Sequence, residues 1–96
     1  MANIRIDPDT MNQRAGEYRQ AAGEVGAVIS RMDGLLSQLQ AEWEGEASKA
    51  YADRYYSDLK PSFQKAQQLI EEIAAALDKN ATAMREQDAA QAAGWR

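Results

Sequence analysis

The sequence predicts an all-α fold, an antiparallel hairpin of two long helices, on three observations. Apolar residues recur at alternating spacings of four and three along most of the chain. Glycine and proline are scarce, at 6 and 2 of 96 residues, whereas alanine, glutamine, glutamate, leucine and lysine, the residues of long helices, dominate. One short break near the middle, Trp43 to Glu46, connects the two periodic halves, and a link that short forces the helices antiparallel. The whole chain, 1–96, therefore reads as one helical-hairpin domain. Its parts are helix one over about 8–42, a bend at 43–46, helix two over about 47–88, and a flexible tail over 89–96.

Helix one starts at Asp7-Pro8. The aspartate can accept from free amides of the first turn, proline at the first helical position gives up an N–H that has no partner there, and Asp9 suits the positive helix end. From Met11, steps of four and three reach Ala15, Tyr18, Ala22, Val25, Ile29, Met32, Leu36, Leu39 and Trp43, and all ten positions are apolar or aromatic. Such an unbroken pattern is a seam of the coiled-coil type. Ala21, Val28 and Leu35 flank it at heptad spacing. The widened stripe can serve two neighbours, one inside the chain and one outside.

The bend, Trp43-Glu44-Gly45-Glu46, places the last seam residue two before a glycine that can adopt the left-handed conformation ending a helix. Glu46 then faces the positive end of helix two. Past the bend, Tyr51, Tyr55 and Tyr56 are expected to pack against the first helix near Trp43.

Helix two keeps the rhythm through Tyr56, Leu59, Phe63, Ala66, Ile70, Ile73, Leu77 and Met84, with Asn80 its one interruption. Pro61 lies inside this run, and because the rhythm continues across it in register, the sequence predicts a local kink near Pro61 and not a break. A lone hairpin leaves half of each stripe wet. The expected assembly is therefore a four-helix-bundle dimer, with Tyr18, Val25, Val28, Ile29, Met32, Leu36 and Leu39 of helix one and Leu59, Phe63, Ile70 and Ile73 of helix two in its core and dimer seam.

The composition excludes much. A net charge of −4 with scattered basic residues does not suit nucleic acid. Without cysteine or histidine there is no thiolate, no disulfide, and neither of the usual zinc ligands. Carboxylates are many, but Glu71–Glu72 and Asp53/Asp58 read as a solvated helix face, so no metal and no cofactor is expected. Ser57-Asp-Leu-Lys60 and Ser62-Phe-Gln-Lys65 match a Ser-x-x-Lys nucleophile motif, but that chemistry needs a sheet and an oxyanion hole, and two helices build neither. The chain is read as non-enzymatic, with no catalytic residue. The N-terminal stretch has no apolar signal-peptide core, and the longest apolar run, Ile73–Leu77, is far short of the ~20 residues of a membrane span. Composition alone would place the protein in the cytoplasm.

In its length, its two amphipathic helices and the Trp43-x-Gly45 bend at its midpoint, the chain resembles the WXG family of small bacterial proteins, the Esx-type (early-secreted-antigen-like) substrates of type VII secretion systems, over about residues 4–90. The resemblance implies a homodimer, or a heterodimer with a paralogous WXG protein. It implies export in folded form, from the cytoplasm to the outside and without a cleaved signal, by a machine driven by the type VII secretion ATPase, which is then the only route to the membrane. Outside, such proteins act as effectors and virulence factors or as helpers for the export of other substrates. In that family a C-terminal Tyr-x-x-x-Asp/Glu element of one subunit lies beside the Trp-x-Gly bend of its partner, and together they form the recognition surface. The resemblance assigns those roles here to Trp43 and Gly45 and to Met84-Arg-Glu-Gln-Asp88, where methionine replaces the tyrosine.

Two other readings need no export. One is an intracellular helical adaptor that binds a partner helix through its wide apolar stripe. The other is a membrane-active amphipathic protein, which the acidic polar face disfavours, since interfacial helices meet anionic lipid with lysine and arginine.

Overall fold

In the computed structural model, which describes residues 6–94, Asp7 caps the first helix through its carboxylate. Oδ1 accepts from the Thr10 backbone amide at 2.8 Å and Oδ2 from the Thr10 hydroxyl at 3.2 Å. These bonds to its charged form hold the Asp7 carboxyl below its ordinary pKa. Helix α1 then runs Pro8–Glu42 without interruption and ends where the Trp43 N–H donates to the Leu39 carbonyl at 2.7 Å. Gly45 starts α2 (Glu46–Arg54) from φ +146° and ψ 169°. That is the extended positive-φ region, essentially open to glycine alone, and not the left-handed helical conformation expected from sequence.

A π-helical turn, Tyr55–Leu59, joins α2 to α3 (Lys60–Gly94). It stands immediately before Pro61, where the sequence suggested a kink, and beside a missing donor. Proline has no N–H to give to the Ser57 carbonyl, so the α-helical bond pattern cannot close there. The Lys60 N–H donates instead to the Tyr55 carbonyl, five residues back, and the Ser62 hydroxyl takes the Asp58 carbonyl at 3.0 Å. Helix α3 remains helical to Gly94, six residues past the boundary expected at Asp88. Of the tail, Trp95 and Arg96 lie outside the described residues.

The two limbs pack antiparallel along one narrow line. On α1 its buried members are Ala15, Ala22, Ile29 and Leu36, one heptad apart. On the other limb they are Ser48, Ala52 and Tyr55, then half-buried Lys60 and Gln67, then buried Ala74 and Ala81. The alanines let the helix axes approach closely, but they bury little apolar area each. The step from Tyr55 to Lys60 is five residues, one more than an α-helix allows on one face. The π turn absorbs that residue, which puts Lys60 inside and leaves Leu59 exposed.

One flank of this line is polar and zipped. Asn12 Nδ2 donates to Asp78 Oδ1 at 2.6 Å, and Arg19 pairs with Asp78 Oδ2. Lys60 Nζ meets Asp33 Oδ2 at 2.9 Å, and Arg85 meets Asp9 at 2.7 Å. Gln67 Nε2 donates to the Ala22 carbonyl at 3.1 Å, and the room for it comes from Gly26, where a Cβ would lie 2.7 Å from that nitrogen. Helical phase (100° per residue) places the opposite flank of both helices on one common face, and that face is apolar: Tyr18, Val25, Val28, Met32, Leu35 and Leu39 on α1, with Leu59, Phe63, Ile70, Ile73 and Leu77 across from them.

Candidate functional site

The bend is held by backbone-directed bonds. The buried Ser48 hydroxyl lies 2.7 Å from the Trp43 carbonyl and 3.1 Å from the Gly45 carbonyl, so its one hydrogen is shared across the turn. The Trp43 indole packs against Tyr51 with ring centroids 6.5 Å apart and an interplanar angle of 34°. It is nevertheless 42% exposed, and Glu42, Glu44 and Glu46 around it are exposed too. The expected tyrosine cluster divides. Tyr55 is buried and donates to the Ile29 carbonyl at 3.3 Å, and Tyr56 stands edge-on to it with centroids 5.1 Å apart. Tyr51 stays with the indole.

Beneath Tyr55 lies the half-buried Asp33–Lys60 pair. Desolvation first, then Asp33, pushes the Tyr55 phenol above its ordinary pKa, and the Asp33 carboxylate raises that of Lys60. Asp33 Oδ1 is buried without a hydrogen-bond partner among the described residues. These polar groups fix the register of the two limbs beside the bend.

The residues expected in the core and dimer seam separate into two populations. Ile29 and Leu36 are buried within the hairpin. Val25, Met32, Phe63, Ile70 and Ile73 are half-buried at its edge. Tyr18, Val28, Leu39 and Leu59 are exposed. Beside the π turn the exposed face deepens into a groove of about 490 Å³ between Met32 and Leu36 on one side and Tyr51, Tyr55 and Leu59 on the other, with Arg54, Asp58 and Ser62 as its polar part. Sequence spacing did not disclose this groove, because it depends on the extra residue of the π turn. It also missed Ser48, although a serine three places after a helix-opening glycine is a recognisable signal for a hydroxyl that folds back on the turn.

Met84 is half-buried and Asp88 exposed on α3. Arg85 pairs with Asp9, so both residues sit at the end of the hairpin where α1 begins. Trp43 and Gly45 are at the other end, about 50 Å away at 1.5 Å per residue of α1. One chain does not bring the two halves of the expected recognition surface together. Among the described residues no helix is long and apolar enough to cross a membrane, and no group of three or more His, Cys, Asp or Glu stands ready to hold a metal.

Comparison with known proteins gives consistent matches. Residues 3–89 match the family WXG100, described as proteins of 100 residues with WXG. The chain is 34% identical over 85 residues to Protein YukE of Bacillus subtilis, covering 88% of this chain and 87% of that one. It is 30% identical over 88 residues to type VII secretion system extracellular protein A of Staphylococcus aureus, covering 92% and 90%. Among solved structures, EsxA of Geobacillus thermodenitrificans superposes with a TM-score of 0.86 at 33% identity, over 96% of this chain and 99% of that one. The secreted protein EsxB of Bacillus anthracis gives 0.81 at 28% identity, over 92% and 99%.

Proposed function

The chain belongs to the WXG100 family, and from that premise we propose that it is exported as a folded dimer of two hairpins and serves outside the cell as an effector or as a helper in the export of other substrates. It is a non-enzymatic extracellular protein of the type VII secretion system. The adaptor alternative, which keeps the protein inside the cell, gives way to relatives that are named as extracellular and secreted.

The observation that supports a dimer is surface. The chain exposes 7352 Å², against about 5,500 Å² for a compact protein of its mass. The excess of about 1,900 Å² per chain is in the range that obligate dimers bury, and one apolar face, from Tyr18 to Leu39 and Leu59 to Leu77, is the part that the hairpin leaves exposed or only half-buried. Two such faces brought together give four helices around one core. A homodimer suits this best, since the face is continuous on a single chain; a paralogous hairpin with a matching face is the heterodimeric case.

Recognition by the export ATPase is assigned to the bend, where a rigid turn presents a partly exposed indole. The second half, Met84 and Asp88, is far from the bend in its own chain and reaches it only from a second subunit laid antiparallel. Methionine in place of tyrosine keeps an apolar residue one helical turn before an acid. The test is a secretion assay in a host with an active type VII system. Trp43→Ala and Met84→Ala are expected to remain helical and dimeric in the cytoplasm yet fail to reach the medium. If Trp43→Ala folds normally and is exported like wild type, the bend is not the signal.

A further inference from the structure

The π turn has one structural effect that the hairpin itself does not use. By absorbing one residue between Tyr55 and Lys60 it turns Leu59 outward and opens the groove beside Met32 and Leu36. An extra residue in a helix breaks the regular bond pattern, and such turns are frequently found where a helix is adapted to a task. Among the described residues nothing fills the groove.

We propose that its occupant is Tyr18 of a second copy of this chain, held by a two-fold axis that crosses α1 near Val25; this rests on the dimer reading above. Tyr18 lies seven residues before Val25 and Met32 seven after it, all on the same helical phase. A two-fold axis there lays α1 antiparallel on its counterpart and carries each Tyr18 to the level of the other chain's Met32 and its groove. Tyr18 is the aromatic residue in that half of the face and is 39% exposed. Its ring is thus free to enter as an anchor with few rotamers to lose.

Charge agrees with the same axis. Glu17 and Arg31 lie on the outer edge of α1, seven residues either side of Glu24, so an antiparallel counterpart sets each Glu17 against the other copy's Arg31. Within its own chain Arg31 has no ion-pair partner among the described residues, and Glu17 has only an exposed contact to Arg14, one turn away. Glu24 meets its own counterpart at the axis, a repulsion that the two reciprocal pairs offset.

The experiment measures the dimer dissociation constant by sedimentation at low ionic strength, with circular dichroism to verify folding. Tyr18→Ser is expected to weaken the dimer about tenfold or more. Tyr56→Ser is expected to leave it unchanged, because Tyr56 is equally exposed, at 43%, but points to the other face, under the Lys60 ammonium. Glu17→Arg and Arg31→Glu should each weaken the dimer, and the two together should restore it. A wild-type dimer indifferent to Tyr18→Ser, or a double charge swap no better than the single ones, overturns the socket and its axis while leaving dimerisation intact. A monomeric wild type overturns both.

Discussion

Gly45 and Gly23 put the same residue type into opposite circumstances. Among the described residues neither has a neighbour within 4 Å of the position a Cβ would take, so a methyl group at either site acts through the backbone. Gly45 holds φ +146° at the start of α2, and an alanine there costs about 1–3 kcal/mol. Gly23 is in mid-helix, where alanine contributes up to ~1 kcal/mol. Urea unfolding should therefore show Gly45→Ala with a lowered midpoint and Gly23→Ala with a raised one, both with the slope of wild type. A neutral Gly45→Ala would mean that the bend relaxes to another conformation. At this scale the sequence was informative about Asp7 and Pro8, because capping chemistry is local, and it placed the turn glycine at Gly45 without giving its conformation. It was silent on Ser48, whose place depends on how α2 leaves the turn.

The helices were legible in extent and less so in phase. Counting apolar residues alone ran the seam of the second limb through Tyr56 and Leu59. The inward line in fact passes through Lys60 and Gln67, two polar residues satisfied by Asp33 and by the Ala22 carbonyl. An apolar count cannot see a buried position filled by a partnered polar side chain. The seam of α1 held its phase throughout because it contains no such residue and no proline. The polar flank also makes the pairing of α1 with α3 sensitive to acid. Arg19 first, then Asn12, holds the Asp78 carboxyl below its ordinary value near 3.8. A carboxylate depressed in the folded state contributes stability that is complete above its unfolded pKa and is lost as pH falls through the folded one. The urea midpoint should accordingly fall as pH drops from about 4 towards 2, and Asp78→Asn should be less stable at neutral pH with a flatter acid limb. An unchanged acid limb in Asp78→Asn would show that the Arg19–Asn12–Asp78 contact does not couple the helices in solution.

At the scale of the molecule, the hairpin is a rod of 76 × 24 × 18 Å with a radius of gyration of 21.4 Å, where a compact domain of this length would have about 12.5 Å. Among the described residues no large side chain is fully buried within it. Composition foreshadowed this, because an apolar fraction of 45% that leans on alanine supplies a thin core. The division of the wide stripe into an inner line and an outer face followed from the π turn and the polar flank, which composition does not encode. In the dimer we propose, burying the outer face against a second copy would supply the missing core and would also bring Met84 and Asp88 of one chain towards Trp43 and Gly45 of the other. The measurement closest to this account is the mass of the purified wild-type protein by sedimentation equilibrium, from micromolar concentration upward. A species of twice the 10.6 kDa chain mass is expected; a 10.6 kDa species that persists to about 0.1 mM, a concentration at which even a weak dimer forms, would contradict it.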